Sequence, residues 1–338
     1  MANRAVILAV YIITFLIGLP ANLLSLYTFL MKGRKEPVPI DTLLLNLALS
    51  DFIFLVFLPF KMSEAAQTID WPFPEVFCDI STCIFLSSIY ASVLFLTAIS
   101  VNRFLSVAFP IKYKMKRKPA YAVVASVFIW LLVFSHCSTI FVIRSMNTNT
   151  NETFQLPSNR VVCYKEFNEK QKKIVYPFQL ELCLALFCLP FIIAVFCYIK
   201  VFRILASLSN VQARRKQHCM GLALVTFLIF AICYGPFNVS HIFGAINYAD
   251  VEWRDYSLAL SSFSVCLDPF VFFFSSNPIR KNAGIWYRRL QRIILQCSVP
   301  CNKDYKEGAV SLSPSNGLAE TGVATESSFG HAAKEREQ

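Results

Sequence analysis

The sequence predicts an all-α membrane protein: a seven-transmembrane helix bundle followed by a short amphipathic eighth helix. Three observations indicate this fold class. Hydrophobic residues make up 56% of the 338 residues and charged residues only 16%, whereas a soluble domain carries about 25% charge. Seven apolar runs are long enough to cross a hydrocarbon core. Basic residues follow alternate runs, as expected for a chain that crosses the membrane repeatedly.

The elements follow from these runs and from the composition after them. The predicted spans are Ala5–Met31, Thr42–Phe60, Ile80–Val107, Tyr121–Ile143, Ile174–Phe202, Met220–Ile246 and Tyr256–Ser276. The first is too long for the apolar core of a cleaved signal peptide, so we expect an uncleaved helix. We predict a bundle over residues 1–276 and an amphipathic membrane-surface helix over residues 277–296, where apolar and basic residues mix. Residues 297–338 are rich in Ser, Thr, Glu and Gly and predict a disordered cytoplasmic tail.

The charges of the loops predict the orientation. Basic residues follow the first, third and fifth runs: Lys32, Arg34, Lys35, Lys112, Lys114, Lys116, Arg117, Lys118, Arg214, Arg215 and Lys216. The positive-inside rule then places the amino terminus outside the cell and the carboxyl terminus in the cytoplasm of a multi-pass plasma-membrane protein. The loop 144–173 is also basic, but long loops contribute little to orientation. It contains Asn151-Glu152-Thr153, a glycosylation acceptor that requires the outer side.

The third run carries a cysteine at its start and an arginine near its end. Cys78 and Arg103 are 25 residues apart, which is about 37 Å of helix and therefore places them at opposite faces of the membrane. Cys78 would lie on the oxidising side, where Cys163 of the long loop is the natural disulfide partner. On the other side, Cys297 and Cys301 are candidate palmitoylation sites, with unmodified thiols as the alternative.

Several polar residues fall near the middle of the apolar runs. They are Asn22, Asp51, Ser92, Ser264 and Asp268, and the cost of burying them in lipid predicts that they face the bundle interior. Two carboxylates in this setting would share a proton or hold a cation, so a sodium ion is one hypothesis. A hydrogen-bond network without metal is the other. Helix kinks are expected at Pro59, Pro190, Pro236 and Pro269.

Several functional classes fit the sequence less well. The net charge is +11, but the basic residues cluster beside apolar runs rather than on one face of a soluble domain, so we expect no nucleic-acid partner. The four histidines occupy different segments without metal-ligand spacing, and no nucleophile cluster indicates an enzyme. A transporter is a distant alternative, because no internal repeat is visible and seven spans do not divide into halves. A light receptor would need a lysine in the seventh run, which has none.

The motifs of the runs resemble the rhodopsin-like, or class A, G-protein-coupled receptors. The matching residues are Asn22 in GLPANLL, Asp51 in LNLALSD, Cys78 with Cys163, Arg103 in VNRF, Trp130, Pro190 with Tyr198, CYGP at 233–236 and DPFVF at 268–272. The segments LPFKMSEAA, RFLSVAFP, HCS, GPFNVSH and CLDPFVFFFSS further resemble the free fatty acid receptors that sense short-chain carboxylates. The resemblance runs from about Tyr11 to Ser276.

The resemblance implies two groups of functional residues. The ligand group would be Arg254, His241, His136, Gln179, Lys61, Phe237, Leu86, Glu181 and Tyr90, with Arg254 as the main anchor because a guanidinium matches a carboxylate. The alternatives are an exposed Arg254 paired with Asp250, Glu252 or Asp255, a core His241 bonded to backbone, and a Lys61 paired with Glu64. The G-protein coupling group would be Asn102, Arg103, Phe104, Tyr198, Pro236, Asp268, Pro269 and Phe272.

Two departures from the resembled receptors change the expectations. Gln179 stands where they have a second arginine, and Phe237 and Leu86 make the site more apolar, so we expect weaker binding of a small acid or a different ligand, such as a larger lipid. Asn102 replaces the acidic residue before Arg103, which predicts a weaker inactive state and basal signalling.

The resemblance also implies partners. The expected ones are a short-chain fatty acid or another small carboxylate, the lipid bilayer, and a heterotrimeric G protein of the inhibitory or phospholipase-linked class. Arrestin and receptor kinases would act on the tail. No cofactor is expected apart from the candidate sodium ion.

Overall fold

Seven helical spans form the part of the chain that the structure describes. This computed structural model describes residues 4–33, 38–66, 75–116, 118–139, 141–142, 169–207, 213–249 and 251–276, with the single positions 279 and 288. The stretches long and apolar enough to cross a membrane are Arg4–Lys32, Pro39–Ala66, Val76–Ala108, Pro119–Cys137, Gln171–Ser207, Lys216–Asn247 and Arg254–Ser275. Helices are expected here because lipid offers no hydrogen bonds to the backbone. The seven predicted spans are thus confirmed.

The first four spans are continuous helices, whereas the last three are interrupted. The continuous helices are Arg4–Gly33, Pro39–Ala66, Glu75–Ala108 and Pro119–Cys137, and a short helix, Pro110–Lys116, precedes the fourth span. The fifth span consists of Glu169–Cys183, a π-helical turn at Leu184–Cys188, and Leu189–Ser207. The sixth consists of Ala213–Leu228, a π-helical turn at Ile229–Tyr234, and Gly235–Asn247. The seventh consists of Arg254–Ser262 and Ser264–Ser275. The predicted amphipathic helix at residues 277–296 lies outside the described residues, apart from two isolated positions.

Two of the three interruptions lie beside prolines that were expected to kink the spans. Pro190 and Pro236 each follow a π-helical turn within two residues. A proline cannot donate to the carbonyl four residues earlier, and a wider turn relieves the clash with that carbonyl. The seventh span instead breaks at Phe263, six residues before Pro269, while Pro59 lies inside a continuous helix.

A side chain of the first span compensates for the missing hydrogen bond at Pro269. In a regular helix the N–H of residue 269 would donate to the carbonyl of Val265. Asn22 Nδ2 donates to that carbonyl instead, at 3.0 Å, and also to the carbonyl of Gly18 at 3.0 Å. Asn22 is fully buried, so this bond replaces one that water cannot supply.

The third span lies at the centre of the bundle. In its most apolar window 72% of the residues are buried, more than in any other span. It packs against the second, fourth and fifth spans, while the first packs against the second and the seventh. The two ends of the bundle are called below the Cys78 end and the Arg103 end, after the residues of the third span that lie there.

Candidate functional site

The seventh span begins with Arg254, whose guanidinium points into the Cys78 end of the bundle. Its Nη2 donates to Gln179 Oε1 of the fifth span at 3.3 Å and to the backbone carbonyl of Ser240 in the sixth span at 3.4 Å. Gln179 is only 8% exposed, and Arg254 is half-buried. Three spans therefore meet at one cation, and both acceptors are neutral. An incoming carboxylate would supply the negative charge that these acceptors lack.

His241 directly follows Ser240 in the sixth span and has unused hydrogen-bonding capacity. The side chain is 4% exposed, and neither Nδ1 nor Nε2 has a hydrogen-bond partner among the described residues. The ring packs edge-on against Phe237 at 4.5 Å between centroids. The alternative of a core histidine bonded to backbone is therefore not what the structure shows. A buried imidazole with both nitrogens unused is the arrangement expected where a ligand completes the site.

Tyr90 and Leu86 line the third span at this end. Tyr90 is fully buried, and its hydroxyl donates to Asn238 Oδ1 of the sixth span at 3.4 Å. Leu86 is half-buried against the core. The phenol hydroxyl of Tyr90 thus already has a partner in the sixth span.

The other predicted ligand residues form two separate pairs. His136 Nε2 lies 3.2 Å from Glu181 Oε1, and its Nδ1 lies 2.8 Å from the carbonyl of Leu132. Both contacts are to acceptors, so only the doubly protonated imidazolium makes both hydrogen bonds. Glu181, predicted as a ligand residue, is here the partner of His136.

Lys61 is buried at the end of the second span. Its Nζ donates to Glu64 Oε2 at 2.9 Å and lies 5.9 Å above the Phe85 ring. The predicted pairing of Lys61 with Glu64 is therefore present. Because the carboxylate and the aromatic face already stabilise this ammonium, it is a weaker candidate for anion binding than Arg254.

Two residues of the Arg254 group were missed by reasoning from the sequence. Ser240 contributes only a backbone carbonyl, which no side-chain motif can reveal. Gly244 lies one turn beyond His241, and a Cβ there would lie 2.6 Å from Arg254 Nη2. A glycine within an apolar span, in a chain with only 10 glycines, was an available signal of close approach.

At the Arg103 end the arginine contacts backbone. Arg103 Nη2 donates to the carbonyl of Ser275, near the end of the seventh span, and Arg103 Nε has no hydrogen-bond partner among the described residues. Asn102 is directed elsewhere, since its Oδ1 accepts from the hydroxyl of Tyr113 at 2.9 Å. The contacts found for Arg103 thus include a neutral backbone carbonyl of the seventh span.

The remaining coupling residues join neighbouring spans. Tyr198 of the fifth span shares a 3.1 Å hydroxyl–hydroxyl hydrogen bond with Thr226 of the sixth. Phe272 is fully buried and meets Phe29 of the first span edge-on at 5.5 Å. Phe104 contacts the rings of Phe109 and Phe196, each at 6.3 Å.

The two mid-depth carboxylates lie close enough to interact. Asp51 and Asp268 are both fully buried and interact with each other, and Ser92 lies near enough to Asp51 to interact with it as well. Of the two neighbouring serines proposed from the sequence, Ser264 accepts from the Tyr234 hydroxyl at 2.9 Å, and Ser92 donates to Ser50 Oγ at 3.5 Å.

These oxygens fit a small hard cation. No group of three or more His, Cys, Asp or Glu residues in the described ranges is placed to hold a metal. A cation here would therefore be held by two carboxylates and by hydroxyls, which is the oxygen-only donor set that sodium accepts.

Several predicted modification sites fall outside the described residues. They are Asn151, Cys163, Cys297 and Cys301. Cys78 itself is disulfide-bonded at the start of the third span.

Comparison with known proteins identifies the family. The model of the family described as 7 transmembrane receptor (rhodopsin family) matches residues 21–272. Mouse free fatty acid receptor 3 is 40% identical over 88% of this chain and 90% of its own length, and human free fatty acid receptor 2 is 39% identical over 83% and 85%. Proteinase-activated receptor 1 of Xenopus laevis is 34% identical over 81% of this chain and 64% of its own. The chain belongs to the rhodopsin family of seven-transmembrane receptors and is a G-protein-coupled receptor related to the free fatty acid receptors.

Proposed function

We propose that this receptor is activated by short-chain fatty acids or a closely similar small carboxylate that binds at Arg254. The observation that carries the proposal is that the half-buried Arg254 guanidinium donates to Gln179 and to the Ser240 carbonyl, at 3.3–3.4 Å, and that both of these acceptors are neutral. The unused imidazole of His241 lies one residue from Ser240. An arginine fork and a histidine N–H are suitable donors for one carboxylate. The named ligands of the related receptors agree with this chemistry.

The apolar surroundings favour a short chain beside the charged group. Phe237 and Tyr90 are buried there, and Leu86 is half-buried. Gln179 contributes no charge, and one charge-assisted hydrogen bond is worth about 1.5–3 kcal/mol, or roughly ten- to a hundredfold in affinity. The receptor should therefore respond at higher concentrations than it would with a second arginine. Because Gln179 adds no positive charge, the alternative ligand is a larger fatty acid or another acid.

The test is a panel of carboxylates from acetate to long-chain fatty acids, applied to cells that report G-protein activation. Arg254→Ala should abolish the response, Arg254→Lys should retain part of it because the charge remains without the fork, and Gln179→Arg should raise the potency of short acids. Surface expression is measured for each variant. If butyrate acts equally well on Arg254→Ala, the anion site is wrong. If only long acids activate the wild type, the alternative ligand is supported.

We place the Cys78 end outside the cell and the Arg103 end in the cytoplasm. This follows from the basic residues after the first, third and fifth spans, together with the acceptor triplet at Asn151. In this orientation Cys78 pairs with Cys163 in the oxidising compartment. Cys297 and Cys301 would be available for palmitoylation, and the tail for receptor kinases and arrestin.

Signalling would proceed by a shift between two populations of the bundle. A carboxylate that draws Arg254, His241 and Gln179 together can favour the active form only by binding it more tightly. The sixth span would pivot near Pro236, and Arg103 would leave the Ser275 carbonyl to meet an inhibitory or phospholipase-linked G protein. We further propose that sodium binds between Asp51 and Asp268, since two buried carboxylates are costly unless a cation neutralises them.

A further inference from the structure

The fifth and sixth spans leave a cleft between them toward the Arg103 end. The cavity measures about 620 Å³, and its walls include Phe191, Val195 and Phe202 of the fifth span and Met220, Leu224 and Phe227 of the sixth. This volume lies within the range of about 300–1,000 Å³ that ligand pockets occupy. We refer to this cavity as the slot.

The slot is apolar and opens sideways. Tyr198 and Thr226 are the lining residues that carry hydroxyls, and these hydroxyls are bonded to each other. On the sixth-span wall Met220 is 51% exposed, Leu224 59% and Phe227 51%, so the opening faces away from the bundle axis. In a membrane that direction is hydrocarbon. A polar ligand would lose its hydrogen bonds to water on entering the slot, whereas an alkyl chain has none to lose.

The length and depth of the slot match one membrane leaflet. Phe191 and Phe202 are eleven residues apart, which is about 16 Å along a helix, and half of a hydrocarbon core of about 30 Å is about 15 Å. The slot begins near the ends of the two spans at the Arg103 end and stops near the π-helical turns at mid-span. An acyl chain anchored in that leaflet would run parallel to the two helices along its full length.

Exposed cations continue the line of the slot toward the membrane surface. Arg203 lies one turn beyond the lining residue Ile199, and Lys216 lies one turn before Met220. Both are exposed. In the proposed orientation this surface is the cytoplasmic leaflet, which carries the anionic lipids, and each basic residue near it contributes about 1 kcal/mol of attraction.

We propose that the slot binds one acyl chain of an anionic phospholipid, with the headgroup at Arg203 and Lys216. The lipid would fill the space between the fifth and sixth spans beside the Tyr198–Thr226 hydrogen bond. This site is independent of the carboxylate at Arg254, and the choice of an anionic headgroup rests on the orientation proposed above.

The test uses full-length receptor in phosphatidylcholine nanodiscs containing a trace of phosphatidylserine that carries a photoreactive diazirine on its acyl chain. After irradiation, mass spectrometry maps the labelled peptides. Labelling should concentrate on residues 191–202 and 220–230. Filling the slot with Ala223→Phe should lower it about tenfold, since losing the contacts of about two methylene groups has that effect. The same change at Ala231, which is exposed and does not line the slot, should leave labelling unchanged.

A second arm tests the headgroup. The double variant Arg203→Gln with Lys216→Gln should lower phosphatidylserine labelling about fivefold for each charge removed, and leave labelling by the matching phosphatidylcholine probe unchanged. These positions are exposed, so this arm and the wild-type map decide the question even if Ala223→Phe fails to fold. Even labelling of all lipid-facing spans, or equal labelling by the two headgroups, overturns the proposal. No arm uses an agonist, so the carboxylate proposal can fail without affecting this one.

Discussion

At the scale of single residues, Gly244 determines where the Arg254 guanidinium can lie. A methyl group at position 244 would lie 2.6 Å from Nη2 and must displace it from Gln179 and Ser240. We expect Gly244→Ala to lower the potency of short-chain carboxylates about ten- to a hundredfold, the cost of one charge-assisted hydrogen bond. Concentration–response curves at matched surface expression measure this effect. Ile246→Ala, at a 70% exposed position of the same helix, is the control and should change nothing. Unaltered potency in Gly244→Ala would argue against Arg254 as the anchor.

A second residue-scale prediction concerns Asn102. The neutral amide accepts from Tyr113 and gives the adjacent Arg103 no charge to pair with. Asn102→Glu keeps an acceptor and adds a carboxylate next to the guanidinium, so basal nucleotide exchange on a reconstituted G protein should fall. Asn102→Gln has the length of glutamate without its charge and should retain the wild-type rate. An equal fall in both variants would attribute the effect to side-chain length, and no fall in Asn102→Glu would contradict the prediction.

The sequence identified most side chains of the candidate site but not how they pair. The resemblance to known receptors pointed to Arg254, Gln179 and Glu181, and the pairing of Lys61 with Glu64 was one of the alternatives. That Gln179 and the Ser240 carbonyl accept from Arg254 depends on how the fifth and sixth spans rotate about their axes, which no single sequence specifies. The contact of Glu181 with His136 depends on packing in the same way.

At the scale of helices, the bond between Asn22 and Val265 should be measurable. Asn22→Ala leaves the buried Val265 carbonyl without a donor, which costs about 1–3 kcal/mol of unfolding free energy. Pro269→Ala restores an N–H at position 269 that can reach the same carbonyl. We therefore expect Asn22→Ala to be less destabilising in the Pro269→Ala background. Thermal unfolding of the four receptors gives the coupling energy of this double-mutant cycle. Additive effects would show that the amide and the proline are not linked through this carbonyl.

The sequence predicted the helical spans but not the form of their interruptions. Long apolar runs that lie in lipid form helices, because the backbone N–H and C=O groups find no hydrogen-bond partners in lipid and must pair with each other. Proline indicates where the hydrogen-bond ladder fails, and for Pro190 and Pro236 the disturbance appears as a π-helical turn just before the ring. Whether a helix bends, forms a wider turn or accepts a hydrogen bond from a side chain of another span depends on the spans packed against it. At Pro269 the neighbour is Asn22 of the first span, which lies 243 residues before Val265 in the sequence.

At the scale of the whole molecule, the slot is formed by two spans together and cannot be predicted from either span alone. Each of its walls is an ordinary apolar helix face, and the cavity exists only where the fifth and sixth spans lie side by side. The distribution of buried charge is also a property of the bundle, since Asp51 and Asp268 come from the second and seventh spans and meet at its centre. Sequence position predicted that both would face inward, but only packing brings them together.

Sodium binding between these carboxylates should stabilise the entire bundle. An ion that binds only the folded state at about ten times its Kd contributes about 1.4 kcal/mol. For a protein of this size that shifts Tm by about 2 °C. Purified receptor should therefore unfold at a higher temperature in sodium chloride than in N-methylglucamine chloride of equal ionic strength. Asp51→Asn removes one ligand and half of the charge, so its Tm should be the same in both salts. A wild type indifferent to sodium would contradict the site, and an Asp51→Asn variant that still responds would assign the effect to another part of the molecule.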